Sequence, residues 1–172
     1  LEPELSFALA KKNAVKLAYK TPQELIAAYD FHDLPSFLNI YYAGMNVLVD
    51  EDDFYQLTYA YLSKARSQET LYAELFFDPQ AHTSRGVSFD TVINGIHKAQ
   101  VDAQHNLGIK SQLILCFLRD MSAESAMQHL ALAEPYLDWL VGVGLDSDER
   151  NNPPIKFTQV FAKARKMGLK LT

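Results

Sequence analysis

Gln112-Leu113-Ile114-Leu115-Cys116-Phe117-Leu118 is the stretch on which the fold turns. It is apolar almost throughout and does not alternate, which is what a strand covered on both faces requires. Such strands belong to parallel sheets, whose neighbours need long crossovers. Reading outward finds those crossovers on both sides. Upstream, Ser88 caps a predicted helix that carries Val92, Ile96, Ala99 and Ala103 on one face and stops at Gly108. Before it stand a polar stretch, Gln80 to Val87, read as a loop, and a short β-prone run, Leu71 to Phe77, stopped by Asp78-Pro79. Downstream, Ser122 caps a helix predicted to end near Pro135, and Trp139 to Leu145 reads as a third strand. The loop Asp146 to Pro154 then leads to a helix with Phe157, Val160, Phe161, Ala164 and Met167 on its inner side. Leu169 opens a fourth strand. The pattern is β-α-β-α-β-α-β, an α/β chain with a parallel sheet. Four such strands make either a small open sheet or half of a (β/α)8 barrel. In both, ligands gather at the carboxyl ends of the strands. Here those ends are Phe76 to Asp78, Leu118 to Asp120 and Leu145 to Glu149.

The first seventy residues read differently, as helices. Thr21-Pro22-Gln23-Glu24 is a capping-box signature with proline at the first helical position. Asp33 caps the next helix, whose apolar residues Leu34, Phe37, Leu38, Tyr41, Tyr42, Met45 and Leu48 recur at helical spacing. Asp50 caps a further helix with the stripe Phe54, Leu57, Tyr61, Leu62 and Ala65.

Composition narrows the function. Of 172 residues, 48% are hydrophobic and 22% charged, which fits a packed globular chain rather than a disordered one. A net charge of -5 leaves no basic surplus to neutralise a phosphate backbone, so nucleic acid is a poor partner. Cys116 is the only cysteine and forbids an internal disulfide, as expected for a reducing compartment such as the cytoplasm. No apolar run approaches the roughly 20 residues of a membrane span, and no charged-then-apolar leader opens the sequence. The chain opens on Leu1-Glu2-Pro3-Glu4, already a helix start, and closes on Leu169-Lys170-Leu171-Thr172, the opening of a strand. The expectation is an interior segment of a longer protein.

Candidate chemistry concentrates at the strand ends. The histidines, His32, His82, His97, His105 and His129, show no metal-site spacing. Those at 97, 105 and 129 read as helix-surface residues, and only His82 follows a strand end. Gly142-Val143-Gly144 lies inside a strand and reads as a close-packing position, not a phosphate loop. Cys116 reads as inert core. Asp78, Asp120, Asp146, Asp148 and Glu149 all fall on the rim, where carboxylates either bind a polar ligand or act as turn formers and caps. The stripe Phe37, Leu38, Tyr41 and Tyr42 reads as packing on periodicity alone.

Five segments, in order and spaced across essentially the whole chain, carry a resemblance. They are Leu1-Glu2-Pro3, Asp33-Leu34-Pro35-Ser36-Phe37-Leu38, Glu74-Leu75-Phe76-Phe77-Asp78-Pro79-Gln80, Leu115-Cys116-Phe117-Leu118-Arg119 and Gly142-Val143-Gly144-Leu145-Asp146-Ser147-Asp148-Glu149. Together they resemble the first half of the adenosine deaminase family of metal-dependent purine aminohydrolases, nearest to its adenine-deaminating branch. The resemblance implies a partial (β/α)8 barrel, with residues 1–66 as capping and leading helices and 67–172 as the first βα units of one larger catalytic domain. It implies a zinc-bound hydroxide that adds to C6 of a purine while a glutamate protonates the ring. The family's metal ligands and proton donor fall outside residues 1–172. No catalytic or metal-binding residue is therefore expected in this chain, and the chain alone should be inactive.

What the resemblance leaves here is pocket wall. It carries over Leu34, Phe37, Leu38 and Tyr41 as an apolar lid over the purine, and Asp78 and Leu118 as strand-end borders. Ser147 stands where adenosine-specific members carry a glycine, and Phe76 where they often carry an arginine. Phe-Phe-Asp-Pro-Gln and Asp-Ser-Asp-Glu favour adenine as substrate, with adenosine as the alternative. A reading of another class is a non-catalytic α/β binding domain that kept the pattern without the metal. An isolated half barrel would leave strand edges unpaired and should associate or aggregate; the oligomeric state itself is left open.

Overall fold

The computed structural model describes residues 2–172; Leu1, at the predicted helix start, lies outside them. Four helices lead the chain: α1 (Pro3–Lys12), α2 (Pro22–Ala27), α3 (Leu34–Met45) and α4 (Glu51–Ser67). Each begins where the sequence supplies a cap. Pro3 opens α1, and the Thr21 side chain accepts from the Glu24 N–H. Asp33 and Asp50 form reciprocal capping boxes with Ser36 and Asp53. The alternating part follows as β1 (Tyr72–Phe77), α5 (Gln80–Thr83), α6 (Phe89–Leu107), β2 (Lys110–Leu118), α7 (Ala123–Leu132), β3 (Leu140–Asp146), α8 (Thr158–Lys166) and β4 (Lys170–Leu171). Short 3-10 turns at Glu134–Trp139 and Pro154–Phe157 precede β3 and α8.

The sheet is parallel throughout, in the order β1-β2-β3-β4. Sequential parallel order with a helix in each crossover is the arrangement of consecutive strands in a (β/α)8 barrel. The apolar run of β2 is buried from Leu113 to Leu118, as its composition demanded. Its odd-numbered side chains, Leu113, Leu115 and Phe117, join Phe77 and Val143 in the main core with Ile93, Leu130 and Val160 of the helices. Its even-numbered ones, Ile114, Cys116 and Leu118, share the opposite face with Phe76, Asp78, Gly144 and Asp146. Glycine is required where this sheet is tightest. A Cβ on Gly142 would lie 2.7 Å from the Lys170 carbonyl oxygen, so the predicted close-packing role holds. Gly108 ends α6 in the left-handed conformation at φ 70°, as its position at a helix stop predicts.

The leading helices are fastened to this layer. At Gly95 of α6 a Cβ would stand 2.3 Å from the Glu51 carbonyl oxygen, so α4 rests directly on the α6 backbone. Lys12 of α1 donates to Asp50 (3.0 Å), Asp52 (3.0 Å) and the buried Asp53 (2.8 Å) at the start of α4. Asp53 also accepts from the Asn13 side chain (2.7 Å) and from the Val49 (2.8 Å) and Asp50 (3.0 Å) N–H groups.

Three sequence expectations need correction. Gln80 to Val87 is not simply a loop, because Gln80–Thr83 turns into the short α5. The α7 helix stops at Leu132, and the 3-10 turn takes Trp139, which is thereby excluded from the strand. His129 is not at the surface: it is buried, and its ring bonds the Thr83 hydroxyl and the Ser125 carbonyl, both at 2.8 Å. Among the described residues no helix is long and apolar enough to cross a membrane.

Candidate functional site

The carboxyl ends of the strands bring two acids together. Asp78 follows β1 and Asp146 ends β3, with Cys116 of β2 between them. Their ligand atoms all lie within 4.8 Å of one another. Gly144 leaves the room for this, since a Cβ there would approach Cys116 Sγ to 3.1 Å and Phe76 Cε1 to 3.5 Å. No lysine or arginine figures among the groups that perturb the pair, which are Cys116, Asp120 and each other. Burial and the charge of Asp78 therefore push the Asp146 carboxyl up to about 9, so it keeps its proton at neutral pH. Burial raises Asp78 as well, partly opposed by the hydrogen bond from Asp146. Among the described residues Asp146 Oδ1 is buried without a hydrogen-bond partner. Burial also pushes the Cys116 thiol up, leaving it an inert floor, as its apolar setting predicted.

Above the pair lies α3. It is predominantly apolar, yet none of its residues is buried. The stripe read as core packing instead forms an aromatic sheath: Phe37 stacks on Tyr41 (5.5 Å, 26°) and meets Phe31 edge-on (5.2 Å). Tyr41 separates two cavities of about 470 Å3 each. The first is lined by Tyr29, Phe31, Phe37 and Tyr41. The second runs from Tyr41 down to Phe76, Asp78 and His82. Burial and the nearby acids raise the Tyr41 hydroxyl, and they push Tyr42 up to about 12, with the Ser147 hydroxyl acting the other way. Both phenols therefore stay neutral donors.

Of the residues expected to form the pocket, Phe37, Tyr41 and Asp78 line these cavities, and Tyr41 and Asp78 share one. Leu34, Leu38, Leu118 and Ser147 line neither. Leu34 is exposed on α3, and Leu118 is buried, its N–H held by Gln80 Oε1 at 2.8 Å. Ser147 adopts φ 71°, a left-handed backbone that glycine enters freely and serine rarely. Asp148 and Glu149 work as loop braces: Asp148 pairs with Arg150 (2.9 Å) and Glu149 with Arg119 (2.9 Å).

Sequence reasoning missed the residues that fasten the lid. Arg85 donates to the carbonyls of Met45 (3.1 Å) and Leu48 and contacts His82 Nδ1 at 2.8 Å, tying the end of α3 to the rim. His82, the one histidine placed near a strand end, is consequently structural. It lies edge-on to Phe54 (4.8 Å, 88°), and burial followed by the charge of Arg85 depresses its pKa to about 3. Gln80, buried, joins β2 to α7 through Ser125 (2.7 Å).

Among the described residues no imidazole joins Asp78–Cys116–Asp146 or Asp50–Asp52–Asp53, so neither has the nitrogen-rich ligand set that zinc favours, and the second already surrounds Lys12.

Sequential parallel strands with helical crossovers, and an aromatic lid beside the strand-end acids, define an α/β chain of the barrel type. The adenosine deaminase family matches it over residues 1–172, and the chain belongs to that family. An adenine deaminase of Vibrio parahaemolyticus is 52% identical over 169 residues, covering 98% of this chain and 50% of the relative. The crystal structure of an adenine deaminase from Arthrobacter aurescens superposes with a TM-score of 0.96 at 44% identity, over 99% of this chain and 52% of that one. An amidohydrolase from Burkhoderia ambifaria, solved with bound zinc, shares the fold at TM-score 0.89 and 21% identity, over 99% and 47%. The chain thus spans about half the length of the relatives it matches.

Proposed function

We propose that the full-length protein hydrolyses adenine to hypoxanthine and ammonia, with residues 2–172 supplying the wall and lid of its pocket. The observation that carries this reading is the stacked Phe37–Tyr41 pair on α3, whose Tyr41 lies close enough to the strand-end acids Asp78 and Asp146 to feel their charge. A flat heterocycle is held well between apolar rings and a few converging polar groups. Leu34 and Leu38 extend the apolar lid, while Leu118 and Ser147 border the strand ends. The leading helices, 1–66, serve as the cap, and 67–172 as the barrel wall of the same catalytic domain.

The hydrolytic step belongs to groups outside residues 1–172. A zinc ion held there would supply activated water, and the isolated chain should be inactive. This chain's own part is to orient the ring, to exclude water through the α3 lid, and to present neutral donors from Tyr41 and Tyr42. The single buried thiol and the absence of a spanning helix among the described residues support a cytoplasmic enzyme. Incubating the full-length protein with adenine and with adenosine, and following ammonia release, tests the reading. Adenine is expected to be the faster substrate, and faster adenosine turnover would overturn it.

A further inference from the structure

We infer that Arg119 is a positioning residue for this pocket: its side chain clamps the loop between β3 and α8 and so holds Ser147, at the strand ends, in a left-handed backbone. The inference rests on the adenine reading above, in which Ser147 borders the strand ends, and goes beyond it by naming the group that fixes that border.

The loop, residues 147–153, is irregular and turns at two left-handed positions, Ser147 (φ 71°) and Asn151 (φ 62°). Side chains other than glycine resist that region, so each position persists only where its surroundings over-determine it. Arg119, in the turn after β2, supplies those surroundings. Its side chain is 14% exposed, and its two terminal nitrogens reach different parts of the loop. Nη1 donates to the Asn152 carbonyl (3.3 Å), and Nη2 pairs with Glu149 (2.9 Å). Its backbone is engaged as well. The N–H donates to the Asp146 carbonyl (3.0 Å), just before Ser147, and the carbonyl accepts from Lys156 Nζ (2.8 Å), just past the loop. Asn152 in turn donates to the Asp148 and Arg150 carbonyls, both at 3.0 Å.

One residue thus grips the loop at its start, its middle and its end. What it holds bears on the pocket. Ser147 directly follows Asp146, whose carboxyl lies within 4.8 Å of Asp78 and Cys116 at the carboxyl end of the sheet. The Ser147 hydroxyl also reaches the Tyr42 phenol of the lid. Asp148 and Arg150 pair only within the loop, so they cannot fix it against the sheet. Arg119 comes from β2, and its planar fork meets two acceptors at once, which a lysine cannot reproduce.

The test is a double-variant cycle in the full-length enzyme, read as kcat and KM for adenine. Arg119→Ala should raise KM about tenfold, the usual weight of a charged hydrogen bond, with kcat within about twofold. In a Ser147→Gly background the same change should raise KM by less than about threefold, because glycine enters the left-handed region without a clamp. Arg119→Lys keeps the charge but loses the fork. It should raise KM about threefold with Ser147 in place, fade in the same way with Ser147→Gly, and carry the cycle if Arg119→Ala does not fold. An unchanged KM in the Arg119 variants would overturn the inference while leaving adenine deamination intact. So would an equal rise in both backgrounds, which would mark general support of the fold rather than a hold on Ser147. A wild type that does not turn over adenine would instead remove the functional reading and the inference with it.

Discussion

Phe37→Ala is the most direct probe of the lid. The ring is 38% exposed although it stacks on Tyr41, so part of its surface is free to cover a ligand. Taking roughly 200 Å2 for a phenylalanine side chain, that fraction is roughly 75 Å2. At about 25 cal/mol per Å2, covering all of it contributes about 1.9 kcal/mol, and covering half contributes about 1 kcal/mol. Removing the ring should then raise KM for adenine between about 5-fold and 25-fold. The contact is remote from the reacting carbon, so substrate and transition state lose it equally and kcat should stay within about twofold. Steady-state ammonia release across a range of adenine concentrations separates the two constants. An unchanged KM would show that Phe37 packs only within the lid, and a fall in kcat at constant KM would show that it acts on the chemistry.

Further perturbations follow from the fastenings. Gly142→Ala drives a methyl against the Lys170 carbonyl, and overpacking of this kind costs about 1–3 kcal/mol, read as a lower urea midpoint. An unshifted midpoint would mean the sheet yields there. Asp53→Ala strips a buried carboxylate of its Lys12 and backbone contacts and should cost about 3 kcal/mol, whereas an exposed pair such as Lys163–Glu134 should cost under about 1 kcal/mol when broken. His82 is neutral in the fold down to about pH 3, while the unfolded chain takes up its proton below about 6.5. Its contribution is complete above pH 6.5 and is lost as pH falls toward 3, by at most about 1.4 kcal/mol per unit. Urea melts of wild type and His82→Gln should diverge in slope between pH 6.5 and 5, and parallel curves would place a proton on the ring in the fold.

Much of the architecture was legible because it is local. Asp33, Asp50, Ser88 and Ser122 all cap the helices they were read to cap, and the apolar run of β2 is buried as its composition required. What escaped was tertiary. Gln80 and Thr83 look like loop residues until their side chains meet Ser125 and His129, partners distant in sequence. The same meeting buries His129, which from the sequence reads as a helix-surface histidine. The α3 stripe has the period of a core helix, but within residues 2–172 it is only partly covered and none of its side chains is fully buried. Asp78 and Asp146 were each visible as rim acids. Their closeness was not, because only the parallel register of three strands brings them to one spot.

Cys116 has one more consequence. As the sole thiol of these residues, with no accessible surface and its proton held firmly, it cannot meet an alkylating reagent while β1 and β3 flank it. Its labelling rate is therefore a clock for the breathing of the sheet, and a ligand resting on the acids above should slow that clock by the amount it stabilises the closed state.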